Sequence, residues 1–341
     1  MSFLLRAARP DDLEAIYGMA KSTGGGFTNL PPDRAALSAK LERAAACFAR
    51  SEDAIADDLF VFVLEDAASG KVRGTCQIFS QVGTKLPFYS YRIGSLTQAS
   101  RELGRTFRAE MLTLSTDLDG SSEVGGLYLH PLERAGGAGA LLARSRYLFI
   151  AQHRARFAAR TIAELRGSID ETGNSAFWDG LAGRFFGMSF READEFNAIH
   201  GNQFIADLMP KHPIYTAMLP ESAVAVIGVP HVSGRAAMRM LEKEGFRYEH
   251  YIDIFDGGPT VTCDTDRIAT IREARNARVT ALADAADLAK GVASFVSIGQ
   301  LAGFRATTGL AMVRDDGVIL EDAAAARLGI GAGDIVTHVA R

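Results

Sequence analysis

Cysteine is scarce in this chain of 341 residues, which contains only Cys47, Cys76 and Cys263. Three cysteines far apart in sequence cannot form a complete set of disulfides, and their spacing does not match a zinc knuckle. Their scarcity argues against a disulfide-stabilised secreted fold and favours a reducing compartment. We therefore predict a cytoplasmic protein without a metal site.

A surplus of charge of one sign and long apolar runs are also missing. Lys and Arg number 37 against 41 Asp and Glu, which gives a net charge of −4. This balance provides no basic surface for nucleic acid. No apolar run reaches membrane-spanning length, and Arg6 and Arg9 come too early for a signal-peptide core. We expect neither nucleic acid nor a membrane as a partner.

The signatures of two common nucleotide-binding loops are absent as well. A short apolar run ending at Leu129 is followed by glycines at 136, 137 and 139 and by a long apolar helix. Gly139 precedes Ala-Leu-Leu instead of the Lys-Ser/Thr of a P-loop. The third glycine and the later acidic residue of a dinucleotide site are missing too. Nucleotide hydrolysis and dinucleotide binding are both disfavoured.

What remains is the pattern Arg134-x-x-Gly137-x-Gly139. It is similar to the pyrophosphate loop of acyl-CoA-dependent N-acyltransferases of the GNAT superfamily. A strand, a glycine loop and a helix in this order aim unpaired N–H groups and the positive end of a helix dipole at an anion. Arg134 is either a counter-ion for a diphosphate or a solvated loop charge. From this segment alone, an acyl-CoA cradle and a tightly packed helix start are equally favoured.

Hydrophobic periodicity predicts alternating strands and helices up to residue 190. The stretch Tyr89 to Asp119 gives mixed helix and loop signals. The predicted elements are a strand at Phe3 to Arg6, a helix capped by Asp11, a helix after Asp33, a hairpin of Leu59 to Leu64 with Gly74 to Gln81, a strand through Leu127, a helix at Leu141 to Phe157, a strand at Thr161 to Arg166, a helix capped by Ser175 and a short strand at Met188 to Phe190. This order, with a glycine loop after the fourth strand, is typical of the GNAT fold, an α/β (α+β) fold with a mixed central sheet flanked by helices.

The second half of the chain predicts an extension and a tail. A helix at Phe204 to Met209, a helix closed by Gly245 and a strand at Phe246 to Phe255 make up the extension. Short apolar pieces beyond residue 266 predict a small β-rich region. We therefore expect a GNAT-like acyltransferase domain over residues 1–266, with a family-specific extension at 191–260, and a small β-rich C-terminal domain over 267–341.

Four longer motifs carry a more specific resemblance. Residues 21–26 (KSTGGG), 61–66 (VFVLED), 209–215 (MPKHPIY) and 251–260 (YIDIFDGGPT) closely resemble bacterial arginine N-succinyltransferases. The resemblance covers most of the chain and is weaker over the tail. It implies transfer of the succinyl group of succinyl-CoA to the α-amine of L-arginine, in arginine breakdown. Succinyl-CoA would then be a cosubstrate, with no permanently bound cofactor.

The resemblance also implies roles for two residues. Leu127 matches the succinyl-CoA-binding leucine of the family, and His231 matches its proton donor. A backbone N–H on a strand edge can stabilise the oxyanion that forms at the thioester carbonyl. An imidazole suits proton donation to the departing thiolate. Without the resemblance, Leu127 is an ordinary buried strand residue and His231 a solvated loop histidine. The predicted site residues are His231 for catalysis and Leu127, Leu129, Arg134, Gly137 and Gly139 for succinyl-CoA.

Charged candidates for the acceptor site are less specific, because for each of them a surface or structural role is favoured over a ligand role. Asp170, Glu171, Asp253 and Asp256 are candidates for the guanidinium, and Arg92 and Arg166 for carboxylates. The loop 24–26 is a candidate for acceptor entry. No cysteine has a neighbouring histidine in sequence, which favours direct attack by the α-amine within a ternary complex over a cysteinyl-acyl intermediate.

Two further functions stay open at this point. Related succinyltransferase subunits act on both arginine and ornithine, so the chain is alternatively one subunit that needs a related partner chain. A binding module that holds succinyl-CoA for regulation without catalysis is the alternative from another class. We expect either a homo-oligomer or a hetero-oligomer with a related subunit.

Overall fold

The computed structural model describes residues 3–22, 29–134, 136–201 and 203–341. The predicted acceptor loop at residues 24–26 lies outside this part of the chain. The elements of the first half are β1 (Phe3–Ala7), α1 (Leu13–Lys21), α2 (Arg34–Ala49), β2 (Leu59–Asp66), β3 (Val72–Phe79), β4 (Ser90–Ser100), β5 (Arg105–Ser115), β6 (Ser122–Leu129), α3 (Ala138–Gln152) and β7 (Arg160–Glu164).

The second half contains short helices and the remaining strands. The elements up to residue 264 are α4 (Ala176–Gly180), α5 (Gly183–Phe186), α6 (Phe190–His200), α7 (Gln203–Leu208), β8 (Ile214–Tyr215), α8 (Glu221–Val224), α9 (Arg235–Glu244), β9 (Arg247–Asp253) and β10 (Pro259–Asp264). The tail consists of α10 (Ala269–Glu273), β11 (Arg275–Ala283), β12 (Val292–Ile298), β13 (Arg305–Arg314), β14 (Gly317–Glu321), α11 (Asp322–Leu328) and β15 (Ile335–Ala340).

All strands of the described residues join one sheet in the order β12-β15-β11-β14-β13-β1-β2-β3-β6-β7-β10-β9-β4-β5-β8. The strands β9 and β10 of the extension lie between β7 and the β4–β5 hairpin, so the extension is built into the sheet. Helices α2 and α3 pack against it through an aromatic cluster, in which Phe149 lies 5.0 Å from Phe62 and 4.8 Å from Phe60, centroid to centroid.

The strands of the tail pair with one another in a closed ring. β12 pairs with β15, β15 with β11, β11 with β14, β14 with β13, and β13 again with β12. Many of their buried apolar residues form a separate cluster, in which Val279, Val318 and Leu320 are fully inaccessible to solvent. Phe295, Ala306 and Val339 pack into the main core instead. The tail is thus a small β-rich barrel, attached to the main sheet where β13 pairs with β1. The domain boundary at 266 remains a prediction.

The stretch Tyr89 to Asp119 was predicted as mixed helix and loop, and this is wrong. It forms the long hairpin of β4 and β5, which are paired along their whole length. Most of their side chains are exposed. Because neither face is buried over most of the hairpin, the sequence shows no apolar alternation. The glycine loop therefore follows the sixth strand instead of the fourth.

Three local predictions also need correction. Asp11 does not cap α1, because Pro10 begins a 3-10 turn and Asp12 occupies the cap position. Residues 188–190 do not form a strand, since Ser189 caps α6 and exchanges hydrogen bonds with Glu192 in a capping box. The helix predicted at 141–157 covers Ala138–Gln152 instead. Asp33 and Ser175 cap their helices as predicted.

Candidate functional site

The strands β6 and β7 separate shortly after they begin. They run parallel and pair only through Ser122 with Thr161 and Glu123 with Ile162 among the described residues. From residue 124 to the end of β6, the edge that faces β7 has no strand partner. The separation leaves a wedge-shaped opening in the middle of the sheet, with main-chain groups along one side.

Leu127 lies on this open edge, directly after an irregularity in β6. Gly126 has a positive φ of 57°, and the register with β3 shifts between Thr75 and Gln77. Leu127 has no register partner on either neighbouring strand. Its side chain packs against the main core. The position therefore combines an anchored side chain with a main chain at the opening, as an oxyanion donor requires.

The glycine loop leads from β6 into α3. Gly136 and Gly137 have φ values of 90° and 92°, a region that favours glycine. Gly137 is the N-cap of α3 and offers no side chain to the first turn. The N–H groups of Ala138 and Gly139 are therefore available to an anion, whereas that of Ala140 donates to the carbonyl oxygen of Gly137 at 3.1 Å. Gly139 lies in the same turn, where an added Cβ would make an ordinary contact with Leu129, 3.6 Å away.

Two arginines lie near this loop. Arg134 is exposed and its Nε donates to the carbonyl oxygen of Leu129 at 3.3 Å. Arg341, which follows β15, holds its guanidinium over Gly137, so that a Cβ at this glycine would overlap Nη2. A cation at the positive end of a helix is unfavourable by itself. The arrangement suits a bound anion that contacts both the arginine and the helix.

His231 lies beside the far end of β7. Its backbone N–H donates to the carbonyl oxygen of Arg166 at 2.8 Å, and Pro230 forms a bridge with Gly167. Nδ1 of His231 lies 2.7 Å from Oγ of Ser233, to which it donates when it carries the ring proton, and this leaves Nε2 to exchange a proton. Burial, and secondarily the charge of Arg166, lowers the pKa of His231. The ring is therefore neutral at neutral pH.

Asp256 has a structural role in the same region. Its two carboxylate oxygens accept the N–H groups of Gly167 at 2.6 Å and Gly258 at 2.8 Å. Burial, followed by the nearby charge of Asp253, raises the pKa of Asp256 to about 7. Because both oxygens are engaged by the backbone, Asp256 fixes the end of β7 and does not offer a free ligand to a guanidinium.

Three other charged candidates are turn or surface residues. Asp170 accepts the N–H groups of Thr172 and Asn174 within its own turn, and Glu171 is exposed. Arg92 is exposed on β4 and forms an ion pair with Asp117 at 3.3 Å. Their hydrogen bonds and exposure are those of turn and surface residues.

Sequence reasoning missed two glutamates at the opening. Glu123 on β6 is 5% exposed, and Glu164 on β7 is partly buried. Each stands next to a buried apolar residue near one end of its strand, and a carboxylate in that position was the available signal. Arg341 had no local signal, because its approach to the loop depends on the closure of the tail barrel.

The three cysteine thiols are buried. Burial raises the pKa of Cys76 to about 12 and that of Cys263 to about 11, and it also raises the pKa of Cys47. All three thiols stay protonated near neutrality, so none is an activated nucleophile. Within the described ranges, no group of three or more His, Cys, Asp or Glu residues has the geometry to hold a metal ion. None of the described helices is both long and apolar enough to span a bilayer.

Comparison with known proteins gives one consistent result. The family model described as the arginine N-succinyltransferase beta subunit matches residues 3–270, and that of its C-terminal domain matches residues 275–340. Arginine N-succinyltransferases from Citrobacter koseri and Salmonella paratyphi B are each 47% identical over 272 residues, which cover 80% of this chain and 79% of each relative.

A solved structure agrees over nearly the whole chain. The structure of arginine/ornithine succinyltransferase subunit AI from Pseudomonas aeruginosa is 32% identical, with a TM-score of 0.90, and the match covers 99% of this chain and 98% of that one. The match includes the tail barrel. The predicted α/β fold, with a mixed central sheet flanked by helices and a β-rich C-terminal region, is confirmed.

Proposed function

The chain belongs to the arginine N-succinyltransferase family and is an acyltransferase, and we propose that it transfers the succinyl group of succinyl-CoA to the α-amine of L-arginine. The observation that carries this proposal is the opening between β6 and β7. The glycine loop follows β6 on one side of this opening, and His231 lies beside the end of β7 on the other. A thioester bound along β6 would have its diphosphate at the loop and its carbonyl beside Leu127.

Succinyl-CoA binding rests on the loop and the end of β6. The available N–H groups at the start of α3 would receive the diphosphate, and the backbone freedom of Gly137 and the missing side chain of Gly139 would allow it to approach closely. Arg134, which lies near this loop, would be a counter-ion for the diphosphate. Leu127 and Leu129 would hold the pantetheine arm against β6 through their main chain.

The reaction we propose is direct attack. The uncharged α-amine of arginine attacks the thioester carbonyl, and the N–H of Leu127 stabilises the tetrahedral oxyanion. Collapse breaks the carbon–sulfur bond and releases CoA as a thiolate. Nε2 of His231 takes the extra proton from the attacking nitrogen and gives it to the sulfur, so that the ring is neutral before and after the reaction. The protonated state of the three buried thiols supports direct attack over an acyl-cysteine intermediate.

Thiol release by the purified chain tests this function. We expect release of CoA from succinyl-CoA that depends on L-arginine, together with N-succinylarginine detected by mass spectrometry. Binding of CoA without arginine-dependent release would instead identify a non-catalytic succinyl-CoA-binding subunit. Ping-pong initial-rate patterns would contradict direct attack.

Ornithine is the second candidate acceptor, because the similar Pseudomonas subunit carries both arginine and ornithine in its name. Turnover of the two amines by the purified chain, at equal concentration, decides between them.

We also propose that the chain is cytoplasmic and works as an oligomer, either of identical chains or with a related subunit. Light scattering of the purified chain alone, which would give a monomer mass if a sister subunit is required, tests the assembly.

A further inference from the structure

Three carboxylates from different strands share one face of the sheet beside the opening. Glu123 is in register with Ile162, two residues before Glu164, so both glutamates point to the same side. Thr260 on β10 is in register with Glu164 and with Tyr251 on β9. Asp253 lies two residues after Tyr251 and therefore shares this face.

The carboxylate of Glu164 has other carboxylates, and not cations, as its main electrostatic neighbours. Burial raises the pKa of Glu164 well above its usual value, and the carboxylates of Asp253, Glu123 and Asp256 raise it further. The largest contributions to this pKa come from burial and from other carboxylates, and none of these comes from a Lys or Arg. An uncompensated buried carboxylate is costly, and a cation in contact with it would remove the cost.

The cations near the cluster, Lys40 and Arg146, interact with Glu123. Lys40 and Arg146 lower the pKa of Glu123, while burial raises it overall to about 7. Lys40 donates to the carbonyl oxygen of Asn29, and Arg146 donates to that of Gly125 at 3.4 Å. Lys40 and Arg146 therefore act on the β6 side of the cluster, and the carboxylates towards β7 and β9 are left for a bound cation.

A buried hydroxyl without a hydrogen-bond partner independently indicates a ligand here. Ser90 on β4 is 1% exposed, and its Oγ has no partner in the described structure. Ser90 is in register with Asp253, so the two side chains lie next to each other on the face that carries the cluster. Buried hydroxyls normally have a partner, and a ligand with several N–H donors would provide one.

We infer that Glu164 and Asp253, with Glu123 and Ser90 beside them, form the subsite that binds the cationic end of the acceptor amino acid, and that it is built for a guanidinium. This inference rests on the proposed function. A guanidinium presents five N–H donors in a plane and can contact two carboxylates and a hydroxyl at once. An ammonium is a compact charge with three donors and satisfies fewer of these groups.

The position of the cluster fits an acceptor that reaches the thioester. The register of β6 and β7 brings Glu164 to the level of residue 125, two positions before Leu127. Two residues along a strand correspond to roughly 7 Å, a distance that the side chain of arginine can span. The guanidinium would lie at the cluster while the α-amine approaches the carbonyl at Leu127.

The decisive variant is Glu164→Gln, with Glu249→Gln as the matched control. Glu249 is an exposed carboxylate on β9 that already accepts from Thr262, a bond that glutamine preserves. We expect Glu164→Gln to raise the KM for arginine at least tenfold and to change the KM for succinyl-CoA less than twofold. The preference for arginine over citrulline, its uncharged isostere, should narrow by a similar factor. Glu249→Gln should leave all three quantities unchanged.

Thermal unfolding provides a readout that does not depend on turnover. Because Glu164→Gln removes one of several mutually repelling carboxylates, the unliganded variant should melt no lower than wild type. Arginine should raise the Tm of wild type and of Glu249→Gln, and this increase should be largely lost in Glu164→Gln.

The outcomes separate this inference from the proposed function. If wild type turns over arginine but Glu164→Gln retains its KM and its preference over citrulline, the subsite is wrong and the function stands. A variant that loses kcat with an unchanged arginine KM would also overturn the subsite. If wild type succinylates no amine, the proposed function itself fails.

Discussion

At the scale of single residues, the candidate site divides into groups held by the backbone and groups that are free to act. Asp256 uses both oxygens to fix the end of β7, whereas His231 uses Nδ1 locally and keeps Nε2 free. This distinction, which depends on hydrogen bonds between distant segments, separates a structural charge from a proton donor.

A first prediction concerns His231. We expect His231→Ala to lower kcat at least tenfold, because the thiolate would leave without a proton donor. Affinity for CoA, measured by calorimetry, should stay within about twofold, since the imidazole does not contribute to the glycine loop. Wild-type turnover across neutral pH in this variant would show that His231 is only a loop residue.

A second prediction concerns Gly137. We expect Gly137→Val to raise the KM for succinyl-CoA at least tenfold and far more than the KM for arginine, because a side chain there would occupy the space of the diphosphate. Gly173→Val is the matched control, since Gly173 also has a positive φ, 87°, and no atom near its Cβ position. Equal effects on both Michaelis constants would contradict the loop assignment.

At the scale of elements, the strands beside the opening hold carboxylates in places where burial makes their charged form unfavourable. β6, β7 and β9 each place a carboxylate on one buried face, and burial is the first cause of each raised pKa. A raised pKa in the folded state means that folding favours the protonated form. The strands therefore fold more readily when these groups carry protons.

This preference for the protonated form predicts a dependence of stability on pH. The contribution of these groups is fully present below their unfolded pKa, near 4, and is lost as pH rises through their folded values, about 7 for Glu123 and Asp256. We expect the Tm of the unliganded protein to fall between pH 5 and about 8 by a few degrees. The fall should be shallower in Glu164→Gln and in saturating arginine. A slope that is the same in all three would refute this account.

At the scale of the whole molecule, a strand pairing and aromatic contacts connect the tail barrel to the main sheet. β13 pairs with β1, and Phe304 lies 5.2 Å from Phe149 and 5.7 Å from Phe62 between ring centroids, within the main aromatic cluster. His153 accepts the N–H of Leu301 at 3.2 Å. These contacts fix the end of β15 relative to α3, which is how Arg341 comes to lie over Gly137.

A prediction for Arg341 follows from this arrangement. We expect Arg341→Ala to raise the KM for succinyl-CoA about tenfold with little change in kcat, because a charge-assisted contact with a phosphate is worth about 1.5 to 3 kcal/mol. Arg314→Ala, at an exposed end of β13, is the control. An unchanged KM in the Arg341 variant would mean that the guanidinium leaves the loop when CoA binds.

The sequence determined much of this protein through local rules. Glycines 136, 137 and 139 between a strand and a helix, Asp33 and Ser175 at helix starts, and the absence of Lys-Ser/Thr after Gly139 can all be read from neighbours in the chain. They predict the glycine loop, most helices and the class of fold, because capping and glycine conformation act within a few residues.

Only the tertiary structure determines which charged side chains lie close together. Glu123, Glu164, Asp253 and Ser90 come from four strands and share a face only through their register. Arg341 reaches Gly137 only because the barrel closes and β13 pairs with β1. Electrostatic interactions depend on distance in space and on burial, which the order of residues does not encode locally.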